Sequence, residues 1–252
     1  MRGLLSGDYG AGNLGDEALL AGLSAGLVAR GFEPVVLSAD PRATRVLHGV
    51  RAAHRLAGLL PAMLGASALV SGGGGLLQDV TSALSLDYYL AALRLAKRLG
   101  KRAVVYGQSL GPLSPAGLER VREALGGVPL ALRDTESVKL AAELGLAAVL
   151  VAAPAPAIPL PAGLPARRPE GPVVLVPRGG QEALNEALEV LAVRLADEGV
   201  PLAGLALHPK QDAPALERLA QRAPALEARR AGSPAAALRA MADARYVVSV
   251  RL

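Results

Sequence analysis

Short apolar segments alternate along the chain with longer segments whose apolar residues recur at helical spacing. This alternation is typical of an α/β protein, in which helices cover a parallel sheet. In the first half the apolar runs predict strands at 3–6, 34–38, 68–71, 102–106, 129–133 and 147–152. The helical spacing predicts helices at 16–30, 87–99, 115–125 and 135–144.

A proline-rich segment divides the chain. Proline presets an extended backbone and donates no ladder hydrogen bond, so residues 154–171 are predicted to be a semi-rigid linker between domains at 1–153 and 172–252. Beyond it the alternation resumes, with strands predicted at 173–176, 202–207, 226–229 and 246–250 and helices at 182–198, 213–221 and 234–242. Because the sequence stops directly after a strand, we expect the second domain to be incomplete.

Composition narrows the chemistry. The chain is 52% hydrophobic and only 2% aromatic, so we expect a core of leucine, valine and alanine. The absence of cysteine excludes disulfides, thiolate catalysis and cysteine-ligated metal, and three scattered histidines predict no metal site. Without a long basic run or stacking aromatics, nucleic acid is not an expected partner.

The net charge of +5 has two interpretations. It reflects either the arginine-rich composition of a thermophilic proteome or affinity for an anion, such as a phosphorylated donor or an acidic membrane surface. We find neither a signal peptide nor an apolar run near the roughly 20 residues that cross a bilayer. We therefore expect a cytoplasmic protein, and peripheral contact with the inner face of the cell membrane stays open.

A glycine-rich loop follows the first strand. Gly10, Gly12 and Gly15 match the dinucleotide pattern G-x-G-x-x-G, with Asp40 placed to bind a ribose. Against that interpretation, the loop of about ten residues is longer than the usual tight turn. Asp16 would also put negative charge where a pyrophosphate should lie. Asp16 is expected either to cap the helix or to face a ligand.

Three further strand ends in the first half carry polar groups. Four consecutive glycines after 68–71 indicate close packing of backbone against a substrate, and Asp79 beyond them is either a base for a sugar hydroxyl or a solvated loop residue. Gln108 is a candidate sugar contact, unless its segment is only a Gly-Pro turn. Arg133 is a ligand-binding residue or half of a structural ion pair.

Cationic or proton-carrying groups also follow three strands of the second half. They are Arg178, His208 with Lys210, and Arg251. Arginine presents a rigid fork that matches carboxylate and phosphate, so their recurrence at equivalent strand ends predicts an anion site.

Together these motifs resemble those of the polysaccharide pyruvyl transferase family, most closely the bacterial CsaB type. The resemblance rests on four segments in the right order: Asn13–Glu17, Ser71–Asp79, Gly107–Pro112 and Arg133–Ser137. It implies two Rossmann-like domains that face each other across a cleft, in a GT-B-like arrangement.

The resemblance also implies an activity. Members transfer the enolpyruvyl unit of phosphoenolpyruvate to a sugar, form a pyruvate ketal and release phosphate, with no metal or organic cofactor. For the CsaB type the acceptor is N-acetylmannosamine of a secondary cell-wall polymer, and the ketal is the ligand for S-layer homology domains. A lipid-linked glycan precursor is one form in which that acceptor would be met.

The site residues follow by position. The donor side is expected to be Arg178, Arg251 and Leu252, with His208 beside them, and the base to be Asp16 or Asp79. The acceptor side is expected to comprise Asn13, Gly73, Gly74, Gln108 and Arg133. The family's Arg-Leu-His pattern ends here at Leu252, so its catalytic histidine would be the next residue. Two rivals stay open: a GT-B glycosyltransferase using a nucleotide sugar, and a non-catalytic dinucleotide-binding module.

Overall fold

A computed structural model describes residues 1–80 and 83–251. The chain forms two compact units. The first contains Met1–Ala11 and Asp16–Pro159, and the second contains Gly12–Gly15 and the residues from Leu160 onward. Each unit is built on its own parallel sheet, as the alternating pattern predicts.

The first unit is a seven-stranded sheet in the order β3-β2-β1-β4-β5-β6-β7, with all strands parallel. The order turns back on itself between β1 and β4, and open α/β sheets bind ligands at such a switch point, beyond the carboxyl ends of the strands. The strands are β1 (Arg2–Ser6), β2 (Glu33–Ser38), β3 (Arg51–His54), β4 (Ala68–Leu77), β5 (Arg102–Leu110), β6 (Leu130–Leu132) and β7 (Ala148–Leu150). The helices are α1 (Leu14–Val28), α2 (Pro41–His48), α3 (Leu59–Gly65), α4 (Ala83–Arg98), α5 (Pro115–Leu125) and α6 (Thr135–Glu143).

The second unit is a four-stranded parallel sheet in the order β10-β9-β8-β11. Its switch point lies between β8 and β11, so the residues that follow these two strands emerge side by side. The strands are β8 (Val173–Val176), β9 (Leu202–Leu205), β10 (Glu227–Arg229) and β11 (Tyr246–Ser249). The helices are α7 (Glu182–Asp197), α8 (Pro209–Arg222) and α9 (Pro234–Ala242).

Leucine dominates the packing in both units, in keeping with the low aromatic content. In the first unit Leu69 of β4 is buried in one cluster with Leu90 and Leu93 of α4 and Leu125 of α5. In the second unit β8 is buried along its whole length and packs with Leu188 and Leu219. Apolar strands of this kind predict a parallel sheet with both faces covered, which is what forms.

The structure departs from several of the predicted elements. No element is predicted between residues 41 and 65, yet α2, β3 and α3 form there. Helix α2 begins after Asp40, whose carboxylate accepts from the amide of Ala43, and it ends at Gly49 in a left-handed conformation. Helix α8 begins at Pro209, four residues before its predicted start. Strand β4 continues through the glycine run, so these glycines belong to the sheet and do not form a loop.

The beginning of the proline-rich segment packs on the first unit. A Cβ on Gly107 would lie 2.6 Å from Cδ of Pro154, and a Cβ on Gly22 would collide with the Pro154 carbonyl. A short 3-10 turn at Ala155–Ala157 follows. None of the helices among the described residues is both long and apolar enough to cross a membrane.

Candidate functional site

The glycine run of β4 is required because helix α1 packs closely against it. Gly73 and Gly74 have φ of +82° and +79°. A Cβ on Gly73 would lie 2.8 Å from Cβ of Leu19 in α1, and one on Gly72 would lie 2.5 Å from Leu23. This backbone therefore packs closely against helix α1. The sequence pattern predicted instead that it packs against a substrate. Gly75 is exposed and is the member of the run with an open side.

Asp16 lies in the first turn of α1, next to this run. A Cβ on Gly74 would lie 3.1 Å from its Oδ1. Nearby, the buried hydroxyl of Tyr9 donates to the carbonyl of Gly72 at 2.5 Å. Burial raises the pKa of Tyr9, and the negative charge of Asp16 raises it further. The half-buried Asp16 carboxylate is thus held at the switch point of the first sheet.

Asp79 is engaged with the start of α5. Its Oδ1 accepts from the amide of Ser114 at 2.9 Å, and its Oδ2 accepts from the Ser114 hydroxyl at 2.5 Å. These bonds, with the charge of Arg120, lower the pKa of Asp79. Both oxygens of this carboxylate are therefore committed to the segment that begins α5.

Gln108 and Arg133 lie at the same edge of the first sheet, but the Gln108 side chain is buried and Arg133 is exposed. The Gln108 side chain is fully buried and donates to Oγ of Ser71 at 2.9 Å, which places it out of reach of a sugar. Arg133 is exposed, and its Nε donates to Oγ of Ser109 at 2.7 Å. Its Nη2 lies 4.0 Å from the position of a Cβ on Gly75. The Arg133 guanidinium thus borders the glycine run.

The glycine-rich loop is held by contacts within the loop and with distant segments, such as the amide of Ala39, which donates to the Tyr9 carbonyl at 2.9 Å. Oδ1 of Asn13 accepts from the amide of Gly15 at 3.1 Å. Asp40, which a dinucleotide site would place on the ribose, instead caps α2. The Asp40 carboxylate is therefore engaged with the start of α2.

Arg178 follows β8 in the second unit, with its backbone fixed and its side chain exposed. The amide of Arg178 donates to Oδ1 of Asn185 at 3.1 Å, and its carbonyl accepts from Nδ2 of Asn185 at 2.7 Å. Asn185 of α7 thus fixes the backbone of Arg178 at the end of β8, while the Arg178 side chain is exposed to solvent.

Asp212 connects the neighbouring strand ends. Its side chain is 0% exposed, and each oxygen accepts one backbone amide and one guanidinium N–H. Oδ1 accepts from Gly179 N at 3.0 Å and Arg251 Nη2 at 2.8 Å. Oδ2 accepts from His208 N and Arg251 Nε, both at 2.7 Å. Burial alone would raise the pKa of Asp212, but these bonds outweigh it and the pKa is lowered.

The structure therefore brings the predicted donor residues to one edge of the second sheet. Arg251 and the amide next to Arg178 share Oδ1 of Asp212. His208 precedes α8 and is 8% exposed, and its Nδ1 has no hydrogen-bond partner among the described residues. Leu252 lies outside the described residues.

Sequence reasoning missed Asp212 and Asn185 because nothing in their local sequence distinguishes them. Each is an ordinary polar residue in the first turns of a helix, and its importance arises from partners that are distant in sequence. Across residues 1–80 and 83–251, no three His, Asp or Glu side chains gather as metal ligands would.

Solved structures similar to this chain include glycosyltransferases. A glycosyltransferase from Rickettsia africae is 10% identical with a TM-score of 0.56, covering 98% of this chain and 72% of its own. HepE from Anabaena, solved with UDP and glucose, is 14% identical with a TM-score of 0.58, covering 98% and 73%. These likenesses show a shared GT-B-type α/β fold.

Sequence comparison is more specific. No curated protein sequence matches the chain. The model of the polysaccharide pyruvyl transferase family matches residues 13–252, which include the glycine-rich strand, the Asp212 cluster and both donor-side arginines. The chain therefore belongs to the polysaccharide pyruvyl transferase family.

Proposed function

We propose that this protein transfers the enolpyruvyl unit of phosphoenolpyruvate to two hydroxyl groups of a sugar. The observation that supports this most directly is the arginine-bearing edge of the second sheet, where Arg178 and Arg251 follow neighbouring strands. Phosphoenolpyruvate carries a phosphate and a carboxylate, and a guanidinium fork matches either group. No organic cofactor or metal is needed for this reaction.

The proposed reaction balances without an oxidant or a reductant. One sugar hydroxyl adds to C2, and a proton joins the methylene carbon, which becomes a methyl group. The second hydroxyl then displaces phosphate by forming a second C–O bond to C2 as the C2–phosphate oxygen bond breaks. Of the two hydroxyl protons, one is balanced by the new methyl hydrogen and the other leaves with phosphate.

In the first unit we assign the base to Asp16. A base must accept a proton from the attacking hydroxyl, and its efficiency falls when its pKa is low. Asp79 has a lowered pKa and both oxygens engaged by Ser114, so we assign it the role of holding the start of α5. Gly75 is exposed and follows Gly74, which lies against Asp16, and the Arg133 guanidinium borders Gly75, so we assign the acceptor contacts to Arg133 and Gly75. Gln108 is left out because it is buried.

For the acceptor we propose a cell-wall glycan, with N-acetylmannosamine of a secondary cell-wall polymer as the specific sugar. The support is the resemblance of the motifs to the CsaB type. A lipid-linked form of this glycan would bring the protein to the inner face of the cell membrane.

The test is product formation. The protein is incubated with phosphoenolpyruvate and an N-acetylmannosamine-containing acceptor, and phosphate release and the mass of the acceptor are followed together. We expect equimolar phosphate and ketal. Phosphate without ketal, or neither product, contradicts the proposal.

Ligand protection separates this function from a nucleotide-sugar glycosyltransferase. A ligand at 100 times its Kd stabilises the folded state by about 2.7 kcal/mol. We expect phosphoenolpyruvate to raise Tm in the wild type, and Arg178→Ala to abolish the rise. Arg194→Ala is the control, because Arg194 is exposed on α7 and pairs with Glu198. Protection by a UDP-sugar but not by phosphoenolpyruvate would favour the glycosyltransferase.

A further inference from the structure

The buried carboxylate of Asp212 has a more specific relation to the donor edge than its neighbours have. The other buried or nearly buried carboxylates of the second unit join elements elsewhere: Glu189 on α7 contacts Arg218 and Arg222 of α8, and Asp243 contacts Arg229 of β10. Every partner of Asp212 follows the carboxyl end of β8, β9 or β11. These are the strand ends at which open α/β sheets bind ligands.

The geometry points to a positioning role. We propose that Asp212 is a positioning residue that orients the guanidinium of Arg251 toward the phosphoenolpyruvate dianion, an inference that rests on the proposed function. The amides of Gly179 and His208 each donate to one carboxylate oxygen and so fix its plane. The carboxylate in turn holds Nε and Nη2 of Arg251 at 2.7 and 2.8 Å.

This fork leaves binding capacity on the arginine. A guanidinium has five N–H groups in one plane, and the fork to Asp212 uses two of them. The other three point away from the carboxylate in directions that the fork determines. An arginine held in this way loses less conformational freedom when it binds an anion than one on a mobile side chain does.

Two effects of Asp212 on donor affinity have opposite signs, which makes the inference testable. Its negative charge offsets that of Arg251, so if charge dominates, removing it tightens anion binding. If orientation dominates, removing it weakens binding. We expect the second, because charge-assisted hydrogen bonds with fixed geometry contribute more than an unoriented charge near solvent does.

The experiment is calorimetric titration with phosphoenolpyruvate. Asp212→Asn is expected to weaken binding about 10- to 100-fold. Glu189→Gln is the matched control: it also removes a buried carboxylate paired with arginine in the same unit, and we expect it to lower Tm and leave the affinity unchanged. In turnover assays Asp212→Asn should raise KM for phosphoenolpyruvate but not KM for the sugar.

The outcomes are distinguishable. No binding by the wild type contradicts the proposed function itself. Wild-type binding with equal or tighter binding by Asp212→Asn overturns the positioning role alone. If Asp212→Asn does not fold, Arg251→Met is compared with the double variant Asp212→Asn/Arg251→Met, in which no charge of this pair is left buried. Equal affinities support action through Arg251, and a much weaker double variant contradicts it.

Discussion

His48 and Glu17 form a buried pair, with Nε2 and Oε2 2.6 Å apart and side chains that are 5% and 4% exposed. The other oxygen of Glu17 accepts from the amide of Gly10 at 2.7 Å. The pair therefore joins α1, the end of α2 and the glycine-rich loop. It explains why an acidic residue follows Asp16 without any need for a ligand.

Removing one member of this pair should be costly. Removing one partner of a buried hydrogen bond costs about 1–3 kcal/mol, because the remaining group stays desolvated and unsatisfied. We expect Glu17→Ala to lower the free energy of unfolding by that amount, measured by urea denaturation. Glu33→Ala is the control, since Glu33 pairs with Arg2 and Arg51 at the surface, where such pairs contribute about 0–1 kcal/mol. Similar losses in both variants would contradict the prediction.

Gly73 should not accept a side chain. Its φ of +82° costs an L-residue about 1–2 kcal/mol, and the clash with Leu19 adds about 1–3 kcal/mol. We expect Gly73→Ala to be less stable than Gly127→Ala, which has φ of +76° and open space around it. Chemical denaturation of both variants measures the difference. Equal stabilities would mean that α1 shifts without penalty.

The contacts of Asp79 predict a pH dependence. Its pKa is lower in the folded state than the value of about 3.9 of an unfolded aspartate. The ionised form therefore stabilises the fold fully above about pH 4, and this contribution is lost as the pH falls through the lowered pKa. We expect Asp79→Asn to have a lower Tm than the wild type at pH 7 and the gap to close in acid. A gap that stays constant in acid would show that ionisation is not its cause.

Asp16 is expected to act on turnover and not on donor binding. Loss of a general base lowers kcat by about 10²- to 10⁴-fold. Asp16→Asn should show this loss and retain the rise in Tm with phosphoenolpyruvate, because the arginines that we propose bind the donor belong to the second unit. Asp8→Asn is the control, since Asp8 follows the same strand but pairs with Arg55. Unchanged turnover in Asp16→Asn would remove Asp16 from the mechanism.

The sequence predicts the α/β class well because apolar runs and helical spacing are local signals. Strand β8 and helix α9 are found at their predicted bounds. The elements of segment 41–65 were not predicted, because β3 is a half-exposed edge strand with little apolar pattern and α2 is mostly polar. The cap and proline at Asp40-Pro41 were the available signal.

The candidate site was predictable only in part. Position after a strand predicted Arg178 and Arg251 at one edge of the second sheet and Arg133 at an edge of the first, since parallel strands all end at the same edge of their sheet. It did not reveal which side chains are buried, so Gln108 was expected on a sugar and is bonded to Ser71 instead. Nor did it reveal Asp212, whose four side-chain hydrogen bonds come from three separate segments.

The unequal surroundings of the β4 glycines have a consequence for engineering. At Gly72, Gly73 and Gly74 a new side chain would crowd against Leu19, Leu23 or Asp16 of α1. At Gly75 a new Cβ would meet only the tip of Arg133, 4.0 Å away. Gly75 is thus the position in this run that can take a small side chain without a clash, and a library at this position would vary the proposed acceptor contacts while the scaffold survives.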